Sequence, residues 1–84
     1  MKVEMTLRAS IAFQHAEPAL QPRLSAILNV LGAEHEDLAL DMRKSSLRPN
    51  VYIVRIDKDY RLFFQREHDE IRILDILHRA QRPE

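Results

Sequence analysis

Three arginines interrupt runs that are otherwise apolar: Arg55 in VYIVRI, Arg61 in YRLFFQ and Arg72 in IRILDIL, with His78 closing the last run as ILHR. A guanidinium is a rigid fork of donors that matches phosphate or carboxylate oxygens in pairs, so arginines gathered in one place point to an anionic ligand. Histidine titrates near neutrality and suits a proton donor. Arg43 and Lys44 add a basic pair upstream. Other chemistries have less support. His15, His35, His68 and His78 show no helix or finger spacing, and the chain has no cysteine, so neither a metal site nor a cofactor is expected. Asp57-Lys58-Asp59 lacks the glycine and terminal glutamate of a calcium loop and reads as a turn.

The elements that must position these cations lie between Val51 and Arg79. Three apolar runs rich in Val, Ile, Tyr and Phe, separated by the short charged turns DKD and REHDE, read as a meander of three strands. Opposed residues share a face, so the turns set the register. A turn at Asp57–Asp59 sets Arg55 against Arg61 and Ile53 against Phe63. A turn at Glu67–Glu70 sets Gln65 against Arg72, Phe63 against Leu74 and Arg61 against Ile76. One face then carries Tyr52, Val54, Ile56, Tyr60, Leu62, Phe64, Ile71, Ile73 and Leu77, a seat for helices. The other carries Ile53, Arg55, Arg61, Phe63, Gln65, Arg72, Leu74, Ile76 and His78, with His78 diagonal to Arg61. Asp75 is the exception: this register leaves it on the apolar face, so it either meets water at an edge or marks a shift in the pairing.

Upstream, Val3, Met5 and Leu7 alternate with polar residues and predict a strand over about residues 2–8. Ala9 to Ala16 predicts a short helix that ends before Pro18. Pro22 suits a first helical turn, and Leu24, Ile27, Leu28 and Leu31 form an amphipathic stripe. Gly32, the one glycine, stands where a left-handed cap would fall. The acidic run Glu34, Glu36 and Asp37 reads as solvated surface, Leu38, Leu40 and Met42 as a short strand or packed loop, and Pro49-Asn50 as a turn. The predicted fold is a single α+β domain over residues 1–84, ordered β-α-α-β-β-β, with two helices packed on one face of an antiparallel sheet.

Composition narrows the function classes. With 84 residues, the chain is near the lower limit for a self-sufficient core, and 45% apolar residues supply a small one. No apolar run is long enough to span a membrane, and MKVEMTLR contains no apolar signal region, so a cytoplasmic protein is expected. The net charge of zero argues against a general nucleic-acid binder, though not against a local basic patch. Strand arginines can also serve only solubility, with their stems over apolar neighbours or their heads paired to Asp57, Asp59 or Glu67. But Ile53, Phe63, Leu74 and Ile76 on the same face would expose more hydrophobe than a lone small protein tolerates, which points to a partner.

The segment LDMRKSSLRPNVYIVRIDKDYRLFFQREHDEIRILDILHR resembles the C-terminal half of the RelE/ParE superfamily of bacterial toxins from type II toxin–antitoxin pairs. The family pattern is a basic segment, a tyrosine- and arginine-bearing strand, a tyrosine–arginine strand after a charged turn, and an aliphatic strand ending in histidine-arginine. The resemblance implies the same β-α-α-β-β-β order. In the RelE branch it implies metal-independent, ribosome-dependent mRNA cleavage that represses translation. Carried over, Arg61 matches the phosphate-binding arginine, Lys44 with Arg43 the basic segment, Arg55 the cation of the preceding strand, and His78-Arg79 the C-terminal acid or second clamp. Arg72 adds to the phosphate-binding set, and Phe63 is the better-placed aromatic for stacking on a base. The ILHRAQ ending, with no tyrosine after His78-Arg79, is closer to the ParE branch, whose members inhibit DNA gyrase without nucleolysis. An inactive antitoxin-binding relative is the third reading. All three imply a cognate antitoxin, in a hetero-oligomer or beside a homodimer.

Overall fold

A computed structural model describes residues 2–33 and 40–81. The alternation at the start of the chain forms strand β1, Lys2–Met5, which is shorter than expected because Thr6 turns the chain into helix α1, Leu7–Gln14. Thr6 is extended (φ −67°, ψ 163°), and its hydroxyl accepts from the Ala9 N–H at 3.1 Å, a side-chain cap on the first helical turn. Helix α2, Gln21–Gly32, has Pro22 in its first turn as expected. Gln21 Nε2 donates to the carbonyls of Phe13 (3.3 Å) and Ala16 (3.4 Å), so the second helix closes the end of the first. Gly32 ends the helix without a left-handed cap: no glycine has positive φ, and Ala33 caps in the right-handed region (φ −82°). The acidic run at residues 34–37, together with Leu38, lies outside the described residues.

Four strands follow: β2, Met42–Lys44; β3, Val51–Arg55; β4, Tyr60–Glu67; and β5, Glu70–His78. The sheet order is β1-β5-β4-β3-β2. Two features depart from expectation. The sheet is mixed, since β1 lies parallel to β5 while all other pairs are antiparallel. The helices supply the crossover that a parallel pair needs. And β2 adds an edge strand where only a weak alternation was legible. No helix among the described residues is long and apolar enough to cross a membrane.

Both helices cover one face. Their stripe of Ala9, Leu24, Ile27 and Leu31 packs on Val54, Ile56, Leu62, Phe64, Ile71, Ile73 and Ile76. Leu24, Phe64, Ile71 and Ile73 are wholly buried. Tyr52 stacks on Phe64 with ring centroids 5.4 Å apart, and the Arg66 guanidinium lies over both rings.

The register of β5 is the feature that decides the site. Pairing runs as expected from Glu67↔Glu70 to Phe64↔Ile73, then jumps to Phe63↔Asp75, Leu62↔Ile76, Arg61↔Leu77 and Tyr60↔His78. Leu74 is the extra residue of a β-bulge, and a bulge exchanges the faces of every residue beyond it. The position is pinned from β1: the Thr6 hydroxyl donates to the Leu74 carbonyl at 2.8 Å, and the Thr6 N–H to the Ile73 carbonyl at 3.0 Å. Ile76 therefore joins the core instead of the open face. Leu77 and Asp75 leave the helix face, and His78 joins it. Asp75 was the residue that did not fit, and the bulge is why.

Candidate functional site: an arginine recess beside an apolar groove

On the face away from the helices, the register makes two neighbouring rows. One runs Arg43, Ile53, Phe63, Asp75; the other brings Arg55 beside Arg61 and Leu77. The Ile56 N–H donates to the Tyr60 carbonyl, so Arg55 and Arg61 form the next, non-hydrogen-bonded pair of that ladder, the type in which side chains stand closest. Like charges so placed repel. Arg43, Arg55 and Arg61, with Asp41 and the buried Ile53, line a recess of about 140 Å³.

Each cation is held differently. Arg61 Nη1 donates to the carbonyls of Asp57 (2.7 Å) and Tyr60 (3.0 Å), which anchors the guanidinium to the β3–β4 turn. That turn is rigid because Asp57 Oδ1 accepts from the N–H groups of Asp59 and Tyr60, both at 2.8 Å. Burial opposes ionisation of Asp57, but those two hydrogen bonds, with Arg23 and Arg61 nearby, hold its carboxyl below the ordinary carboxylate range. Arg23 reaches across from α2 to the Ile56 carbonyl (3.3 Å). Arg55 faces Asp41 at 4.0 Å.

The remaining sequence-predicted residues lie elsewhere. Lys44 pairs with Tyr52, on the face that carries Arg66 and not the one that carries Arg43. Arg72 pairs with Gln65, two pairs from Phe63 on the side away from Arg61, and meets Glu70 at 3.6 Å. His78 stands edge-on to Tyr60 (5.2 Å between centroids), and its Nδ1 accepts from the Ala80 N–H at 3.1 Å. The bulge thus turns His78 to the helix face, opposite the face that carries Arg61. Arg79 follows it to the β3–β4 turn, where its N–H donates to the Asp59 carbonyl (2.7 Å) and its Nε meets the Asp59 carboxylate (3.4 Å). Phe63 shares the recess face and is buried, with 7% exposure.

The expected exposed hydrophobes are also redistributed. Ile53, Phe63 and Ile76 are buried, while Leu7, Ile11 and Leu47 are the large exposed ones among the described residues. Beside the recess, Val51, Phe63, Leu74 and Leu77 floor a groove of about 410 Å³, with Leu47, Arg8 and Arg48 at its rim. Asp75 lies in it, 13% exposed, accepting from the Ile76 N–H (2.8 Å) and facing Arg8 at 3.6 Å. Sequence reasoning missed this groove, with Thr6, Arg8 and Asp41. A threonine before an amphipathic run is a cap signal that could have found Thr6. Asp41 lies in a polar stretch with no comparable signal.

Residues 7–83 match the sequence model of the family described as "ParE toxin of type II toxin-antitoxin system, parDE". The chain belongs to this family. The toxin also has the fold of several solved relatives. A chain of the RelB–RelE antitoxin–toxin complex from Methanococcus jannaschii superposes with a TM-score of 0.78 at 20% identity, covering 92% of this chain and 91% of that one. YafQ from E. coli gives 0.75 at 14% identity, with 94% and 93% coverage. The YoeB dimer from Staphylococcus aureus gives 0.73 at 16% identity, with 89% and 92% coverage. At these identities the likeness shows the fold alone. No curated protein sequence matches the chain.

Proposed function

We propose that this toxin represses translation by RelE-like, metal-independent cleavage of mRNA on the ribosome, with the recess of Arg43, Arg55 and Arg61 as its phosphate-binding centre. The observation that carries this reading is the close Arg55–Arg61 pair with Arg43 beside it over Ile53. Three guanidiniums around one small recess repel one another, and a bound anion would relieve that repulsion. Arg61, fixed by two turn carbonyls, meets a phosphate without first losing side-chain freedom. Cations aimed at the charge that develops on phosphorus supply transition-state stabilisation, usually the largest catalytic contribution. Lys44, Arg72, His78 and Arg79 are outside this centre. Induction without the antitoxin, followed by mapping of mRNA ends, tests the reading: Arg61→Ala should abolish both growth arrest and new ends while the variant stays folded.

A second reading, inhibition of DNA gyrase, is favoured by the family description and by the placement of His78 on the opposite face from Arg61. Purified toxin would then block supercoiling, and an unaffected supercoiling assay removes this reading.

An antitoxin partner is supported by relatives solved as toxin–antitoxin complexes. The groove suits an amphipathic antitoxin segment: its aliphatic floor takes apolar anchors, and Arg8 and Arg48 take carboxylates.

A further inference from the structure

The recess contains one group that a phosphate-binding centre does not require. Asp41 precedes β2, and its carbonyl accepts from the Arg55 N–H at 2.8 Å, which fixes its backbone directly across from Arg55. Asp41, Arg55 and Arg61 therefore form one cross-strand row, anion to cation to cation, and the Asp41 carboxylate lines the recess with its Oδ2 4.0 Å from Arg55 Nη1. The carboxylate is 73% exposed, so the core does not require it. Its effect is electrostatic. A bound anion must share Arg55 with it and stand close to a like charge.

We propose that Asp41 is a charge filter on the arginine recess, weakening capture of any anion and disfavouring doubly charged terminal phosphates relative to the singly charged phosphodiester inside a nucleic-acid chain. This deepens the phosphate-site reading and rests on it. The repulsion scales with ligand charge, so a phosphomonoester, whose second ionisation falls near pH 6, bears about twice the penalty of a diester at pH 8. Across about 6 Å of largely aqueous medium, each unit of ligand charge loses about three- to ten-fold in affinity. The filter thus narrows the advantage that a doubly charged terminal phosphate has over an internal linkage at three arginines.

The test uses the full chain at pH 8 and low salt, titrated with dimethyl phosphate or methyl phosphate while the amide and guanidinium resonances of Arg43, Arg55 and Arg61 are followed. Asp41→Asn keeps the shape, and Asp41→Ser is a second neutral variant; the main-chain bond to Arg55 survives in both. Both should bind dimethyl phosphate about three- to ten-fold more tightly than the wild type, and the methyl-to-dimethyl preference should rise by a similar factor. Wild-type affinities and preference in both variants overturn the filter while leaving the phosphate site standing. A wild type whose recess resonances respond to neither anion removes the phosphate-site reading and the filter with it.

Discussion

Replacing Thr6 with alanine tests the register on which the site depends. The Thr6 hydroxyl has two roles: it accepts from the Ala9 N–H as the cap of α1, and it donates to the carbonyl of Leu74, the bulged residue of β5. Loss of a threonine cap costs about 1 kcal/mol. A part-buried carbonyl that loses its donor costs about another 1 kcal/mol. Together these predict about 2 kcal/mol, which for a domain of this size lowers the melting temperature by roughly 8–16 °C. Thr6→Ser retains the hydroxyl and should lie near the wild type. The assay is urea and thermal denaturation followed by far-ultraviolet circular dichroism. If Thr6→Ala and Thr6→Ser differ by less than about 0.5 kcal/mol, the ordinary scatter of surface substitutions, the hydroxyl does not pin the bulge.

Three further outcomes follow from the same geometry. Leu24→Ala removes a wholly buried side chain from beneath α2 and should cost about 2–5 kcal/mol, read from the urea midpoint. Asp57 has a folded-state pKa below its ordinary value of 3.8, so its contribution to stability is present above that value and is lost as pH falls through the lower folded-state pKa. Asp57→Asn should flatten the acid limb of stability against pH; an unchanged limb places the pH dependence in other groups. His78→Ala, on the face away from Arg61, should retain growth arrest on induction where Arg61→Ala loses it, and equal loss in both would mean that His78 acts with the recess after all.

Much of this arrangement was legible in the residues. The stripe on α2, the apolar helix-bearing face and the Arg55–Arg61 pairing follow from periodicity and from one tight turn, because both act over a few residues. The β5 register was not legible beyond Ile73. A bulge depends on contacts from elsewhere in the chain, here Thr6, 68 residues from Leu74 in sequence. Asp75 on an apolar face was its one visible trace. The parallel pairing of β1 was hidden for a related reason: alternation shows that a segment is a strand but not which strand it joins. Lys44 was joined to Arg61 by the family resemblance and Arg72 by the register of the meander; Lys44 lies on the other face, and Arg72 lies on the same face but farther along the sheet.

The central claim is that anion binding resides in the recess and not in the chain's cations at large. The most direct test is a charge-matched comparison of two double variants, Arg55→Ala with Arg61→Ala against Lys44→Ala with Arg72→Ala, each of which removes two positive charges. Affinity for a fluorescent oligoribonucleotide is read by anisotropy at fixed ionic strength, after circular dichroism confirms that both are folded. The arginine recess predicts that the first double variant loses binding and the second keeps it. Equal losses would mean that diffuse charge holds the RNA, and would contradict a phosphate site at Arg55 and Arg61.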